Sequence, residues 1–293
     1  MSLERKRRLG DRSDGRRLRT LDPIFGMIPF IMKKRSGASN SFSGTLDITE
    51  AEKFIRQKRT EDMPELGMLH FLVATYLRIV SQKPEINRFI SGQRIYARND
   101  VQVSLAVKKG QSVQAQEATV KAYLDQADTL KQVYEKLQAV IDEGKREGDS
   151  NNTDHTARFL NHIPRLFLRF VIGFLECLDY FGILPKALLK VSPFHGSLFV
   201  SDLGSVALPP VYHHLYDFGN IPLFLTFGTK TKRSVIDKKG VIVQSRQLDF
   251  TLMLDERICD GFYFSGVLRM LGEIMKNPAK LNEPPEKVYE DID

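Results

Sequence analysis

The sequence predicts an α+β fold, a mixed and largely antiparallel sheet flanked by helices, on three observations. Apolar residues recur at helical spacing over much of residues 65–181, and runs alternating apolar with polar residues crowd the stretch after Pro185. One further amphipathic segment, Phe262–Lys276, closes the pattern as a helix.

In chain order, residues 1–22 read as a basic flexible arm, 23–280 as one domain and 281–293 as a polar tail. Pro23–Met32 (PIFGMIPFIM) is too short and too rich in Pro and Gly to span a bilayer. Ser41–Thr49 (SFSGTLDIT) alternates as a half-buried strand does. Residues 65–81 have the period of a core helix stopped by Pro84, and His70 within it reads as a satisfied core histidine. Arg94–Val107 carries a turn signal at Asn99-Asp100 within a β-type run. Glu117–Ile141 reads as one long helix with a one-sided apolar face, and Gly144–Asp154 (GKREGDSNNTD) as a surface loop. Residues 163–181 are the most apolar stretch, but Arg169, Glu176 and Asp179 recur too often for a membrane span, so a buried or interfacial helix is expected. Ser197–Ser201, Pro222–Thr229, Val235–Gln244 and Gln247–Leu254 read as strands, with Lys238-Lys239-Gly240 turning an antiparallel hairpin.

The chain of 293 residues is 42% hydrophobic, enough to bury a core. Cys177 and Cys259 make neither a disulfide framework nor a CxxC metal site, so no metal and a cytoplasmic location are expected. The net charge of +7 resides in residues 1–35, where eleven Lys and Arg face four acids; the rest of the chain is neutral. That neutral body disfavours nucleic acid as a partner. The basic arm and the apolar 163–181 helix are the segments expected to touch a membrane surface, if any does.

Four short motifs follow one another in the chain: Phe42–Thr49 (FSGTLDIT), Pro84-Glu85-Ile86-Asn87, Leu198–Gly204 (LFVSDLG) and Asp255–Gly261 (DERICDG). Together they resemble the catalytic domain of the 2-oxo acid dehydrogenase acyltransferases and chloramphenicol acetyltransferase, in which the matching segments read I-D-I-T, P-E-L-N, F-T-I-S-N-L-G and H-x-x-x-D-G. The resemblance covers residues 42–276 and implies a chloramphenicol acetyltransferase-like two-layer fold, an acyl-CoA thioester as substrate, and a homotrimer with its active site between subunits. Residues 145–190 look longer and more apolar than the family's connection there, as a divergent helical insertion would. No lipoyl domain and no peripheral-subunit-binding domain are expected before the core.

In that family the histidine takes a proton from the thiol or hydroxyl acceptor that attacks the thioester carbonyl. The resemblance places Glu256 at the histidine position and Ser201 at or beside the hydroxyl that stabilises the oxyanion. It places Asp260 in a structural ion pair, with Arg35 and Lys33 as candidate partners. A Glu of pKa about 4.3 facing a thiol of about 8.5 leaves the proton transfer uphill by about four units, roughly 5.7 kcal/mol. Burial raises a Glu to about 8 or 9 and removes most of that cost, so a glutamate base requires dry surroundings, which the adjacent Arg257 opposes. His213 and His214, in PPVYHHLYDFG, are alternative bases, and His195 stands just before the LFVSDLG strand. Two functions follow as expectations. One is a CoA-dependent acyltransferase with an unknown acceptor; the other is a catalytically inactive acyltransferase-fold scaffold, with Glu256 capping or ion-pairing at its turn, that binds a ligand or protein partner.

Overall fold

A six-stranded sheet carries the core. In the computed structural model, which describes residues 7–108, 117–146, 164–236 and 239–293, its strands are β2 (Ser39–Asp47), β5 (Val101–Lys108), β6 (Glu117–Leu124), β7 (Leu198–Asp202), β8 (Leu223–Ile236) and β9 (Ile242–Asp255). Their spatial order is β2-β9-β8-β7-β5-β6. β7 runs parallel to both neighbours, and every other pair is antiparallel. A second, three-stranded sheet orders β1 (Gly15–Arg17), β4 (Arg94–Arg98) and β3 (Arg88–Ser91) as β1-β4-β3. The α+β class expected from the sequence is the observed one.

Helices α2 (Thr49–Glu61), α3 (Met68–Gln82), α4 (Leu130–Arg146) and α7 (Gly261–Lys276) contribute to the main core. Phe71 and Leu77 from α3, Leu137 from α4 and Phe264 from α7 meet Leu105 and Leu198 of the sheet, all fully buried. Each such side chain contributes about 1.5–3 kcal/mol through removal from water. α2 went unread in the sequence because its buried positions, Ala51, Glu52 and Ile55, include a carboxylate. Its first turn is set by Asp47, whose Oδ1 accepts from Thr49 N–H and Oγ. Acids in its first turn and bases in its last match the helix dipole.

The single helix expected over Glu117–Ile141 is in fact a strand followed by a helix. Ala118, Ala122 and Leu124 are buried at the two-residue period of β6, which pairs with β5 along its whole length. Thr129 and Gln132 then start α4 as a reciprocal cap, Thr129 N–H donating to Gln132 Oε1 and Gln132 N–H approaching Thr129 Oγ at 3.5 Å. Most of the Gly144–Asp154 loop, Ile163 and Lys238 lie outside the described residues. β8 and β9 form the expected hairpin but are longer than the separate runs in the sequence, pairing from Leu223 with Leu254 out to Ile236 with Ile242.

The arm is the larger correction. Residues 1–6, with Arg5 and Lys6, lie outside the described residues, but 7–22 are built into the protein. β1 pairs with β4, Leu18 joins the core, and Arg12 is 3% exposed. The C-terminal tail folds back to meet them: Arg8 reaches Asp293 at 2.8 Å, and Asp291 pairs with Arg88 at 2.6 Å. Next, α1 (Pro23–Ile31) starts at Asp22, which accepts from Ile24 N–H, with Pro at the first helical position. The β3–β4 hairpin turns through Gly92 and Gln93, both at positive φ, and a Cβ on Gly92 would collide with the carbonyl oxygen of Tyr180.

Tyr180 ends α5 (Arg165–Tyr180), which precedes the short α6 (Lys186–Val191). The expectation of a buried helix for this apolar segment fails: none of the sixteen residues of α5 is buried, and Leu166 is 84% exposed. Among the described residues no helix is long and apolar enough to cross a membrane. Because Arg12 is buried against two carboxylates, Arg12→Ala is expected to destabilise the fold by about 3–5 kcal/mol in urea unfolding. A change near zero would return residues 7–22 to the status of a dispensable arm.

Candidate functional site

At the end of β9 three consecutive residues diverge. Asp255 and Arg257 are buried, and Glu256 between them stays partly exposed. Arg257 forms a bidentate pair with Asp255, Nε to Oδ1 and Nη2 to Oδ2, both at 2.7 Å. Arg35 sets its Nε 3.5 Å from Asp255 Oδ2, while its Nη1 and Nη2 donate to the carbonyls of Tyr216 and Ile90. Asp255 is therefore the carboxylate that Arg35 meets, in place of the expected Asp260. Asp260 is exposed and caps α7, its Oδ1 accepting from Tyr263 N–H at 2.6 Å. An Asp immediately before a helix satisfies its free N–H groups and gains from the dipole, which explains that placement.

Glu256 Oε2 accepts a hydrogen bond of 2.7 Å from Asn40 Nδ2, and its backbone N–H donates to Ala38. The dry surroundings a glutamate base needs are not provided by this chain alone. Ser201 lies on β7 in register with Thr226 of β8, which is in register with Thr251 of β9. Glu256 is five residues beyond Thr251, so Ser201 and Glu256 stand ~16 Å apart along the strands and ~10 Å across them. The structure does not bring these two together within one chain. Beside Ser201 the buried Thr226 Oγ has no hydrogen-bond partner, whereas Thr251 Oγ donates to the Val211 carbonyl. Thr226 was missed in the sequence because only pairing with β7 sets it next to Ser201.

Of the alternative bases, His213 stacks on Phe224 with ring centroids 4.3 Å apart. Phe224 is in register with Phe199, two residues before Ser201, so His213 covers the sheet face on which Ser201 lies. Burial lowers its pKa and favours the neutral ring. His214 is exposed, edge-on to Tyr216.

A cleft of about 350 Å³ opens at the Glu256 end of the sheet, with Lys33, Lys34, Arg35, Asp179, His195 and Arg257 in its wall. His195 lies just before β7, its Nδ1 2.8 Å from Ser192 Oγ and its Nε2 3.5 Å from Asp179 Oδ1. Asp179, near the end of α5, takes a 2.7 Å ion pair from Arg12, which also pairs with Asp14. Asp14 in turn approaches Arg98 and accepts from Asn220 Nδ2. Burial alone would raise the Asp179 pKa, but the His195 edge and the Arg12 charge outweigh it and hold the carboxyl well below the usual range. Desolvation outweighs Asp179 at His195 and keeps that imidazole neutral. Desolvation likewise pushes His70, inside α3, down to about 4. This polar network was not legible beforehand; the one signal was Asp179 standing in an apolar run. Among the described residues no cluster of His, Cys, Asp and Glu is arranged to hold a metal ion.

These shifts give the fold an acid limb. His70 and His195 bind protons in the unfolded chain below about pH 6.5 but resist them when folded, so stability falls as pH drops from there. Asp179, depressed in the fold, adds stability above about pH 4 that is lost as pH falls further. In urea unfolding across pH, His195→Gln is expected to flatten the upper part of the limb and Asp179→Asn the lower. Superimposable profiles would contradict the assignment.

Neither a family model nor a curated protein matches the sequence. Solved structures do match the fold. The dihydrolipoamide acetyltransferase of Azotobacter vinelandii, in whose catalytic mechanism a serine, a histidine and an asparagine have been investigated, is similar at TM-score 0.58 and 12% identity, over 87% of this chain and 90% of that one. A probable dihydrolipoamide acetyltransferase from Listeria monocytogenes is similar at TM-score 0.56 and 14% identity, over 92% and 99%. A chloramphenicol acetyltransferase is similar at TM-score 0.50 and 13% identity, over 84% and 92%. At such identities the likeness is one of fold, and the fold of this chain is that shared by chloramphenicol acetyltransferase and the 2-oxo acid dehydrogenase acyltransferase cores.

Proposed function

We propose that the chain moves an acyl group from a CoA thioester to a thiol or hydroxyl acceptor at a site completed between the subunits of a homotrimer. The observation that carries this reading is the separation of Ser201 from Glu256, two strands apart and ~16 Å along the strands. A base and an oxyanion donor at those positions serve one reaction centre only when two subunits supply them. Ser201 is the donor on one surface, with the buried, unpartnered hydroxyl of Thr226 beside it, and Glu256 is the base on the other. The Glu256 carboxylate takes the acceptor's proton, and the freed oxygen or sulfur attacks the thioester carbonyl. Collapse of the oxyanion expels CoA thiolate, which recovers the proton from Glu256. A neighbouring subunit covering Glu256 would supply the dry surroundings that a carboxylate base needs.

The solvated hydrogen bond between Glu256 and Asn40 favours a second reading. In it Glu256 is a turn residue, and the chain is an inactive scaffold whose exposed α5 meets a protein partner or a membrane surface.

Calorimetry with acetyl-CoA and an assay of thioester loss separate the two. The transferase reading expects saturable binding, loss of turnover in Glu256→Gln, and a fall of about 10²–10³ in kcat for Ser201→Ala. Co-expressing the two variants should restore part of the rate, because mixed trimers regain one intact interface. Full rate in Glu256→Gln would exclude the carboxylate base, and absence of acetyl-CoA binding would leave the scaffold.

A further inference from the structure

The buried charges around the cleft do not balance. Where Arg12, Arg98, Asp14 and Asp179 form a set of two cations and two anions, Arg35 and Arg257 share the single carboxylate of Asp255. Arg35 and Arg257 are 5% and 2% exposed, so water does not screen the surplus charge. Arg35 Nε, buried in the cleft wall, has no hydrogen-bond acceptor, the nearest carboxylate oxygen being 3.5 Å away. Desolvation, with the Arg257 charge, works against the Arg35 charge, and Asp255, Asp179 and Asp217 together offset only part of that effect. Two further acids line the cleft. Asp217, exposed, accepts from the Ser36 N–H and Oγ and keeps its charge beside Arg35, and Glu176 is an exposed rim residue. Lys33 and Lys34, both exposed, add positive charge at the mouth.

We propose that this cleft binds a small soluble oxyanion, the carboxylate or phosphate group of a metabolite-sized ligand, against Arg35. An oxyanion there accepts from the orphaned Nε, completes the charge balance of the Arg35–Asp255–Arg257 set, and is drawn in by the two rim lysines. The volume of about 350 Å³ is that of a small-molecule pocket. The site uses neither Glu256 nor Ser201, so it stands or falls separately from acyl transfer.

The test is calorimetric titration of the full chain with inorganic phosphate and, separately, acetate, at constant ionic strength. One saturable site per chain is expected for at least one anion, and the preferred anion identifies the ligand group. The double variant Lys33→Glu, Lys34→Glu should weaken binding at least tenfold. Lys53→Glu, a charge reversal at an exposed residue of α2, should leave it unchanged, as should Glu256→Gln. No saturable binding of either anion, or an equal loss in Lys53→Glu, would overturn the proposal.

Discussion

The carboxylate of Asp255, held between two arginines at the end of the central sheet, is the constraint on which the site depends. A buried ion pair contributes little net stability, since desolvation offsets most of the attraction, but removing one partner leaves a buried charge exposed to no compensation. Its value is geometric. Through Arg35 it ties the segment before β2 to the Tyr216 loop and to β3, and through Arg257 it ties the end of α1 to β9. Four distant stretches of chain converge on one side chain. With Asp255 and Arg257 turned inward, Glu256 between them is left at the surface.

In the proposed transferase that placement divides the site. The hydroxyls of Ser201 and Thr226 sit at one part of the sheet and Glu256 at another, so a single chain holds half of each reaction centre of the proposed transferase. The cleft beside Glu256 has a different chemistry, with buried guanidiniums, a neutral imidazole and an ionised Asp179. α5 links the two themes. Its last turn delivers Asp179 into the buried network, while its outward side chains, among them Phe167, Phe170 and Phe174, remain exposed.

How far the sequence was legible depended on the range of the interaction. Strands with clean alternation, such as β2, and helices with strong periodicity, such as α3 and α7, were readable because their buried faces are written into consecutive residues. β6 was misread because its Glu, Ala, Lys and Leu favour helices locally, and only the ladder with β5 makes that segment extended. Residues 7–22 were read as solvated for a similar reason. Their basic composition is that of an arm, but one of the two acids paired with Arg12 is Asp179, far away in sequence.

By itself, the sequence determined the α+β class, the periodic elements such as β2, α3 and α7, and the four motifs that resemble the acyltransferase core, with Glu256 where that resemblance expects histidine. These are properties of local patterning, which survives in a linear reading. The tertiary structure decided which carboxylate Arg35 meets, that Asp260 caps a helix, that Arg12, Asp14 and Leu18 of the arm are buried, and that Ser201 and Glu256 lie far apart. Apart from the local Asp260 cap, each of those depends on how distant residues are brought together. Their burial makes such contacts exacting, because a charge removed from water must find its partner at one place in space.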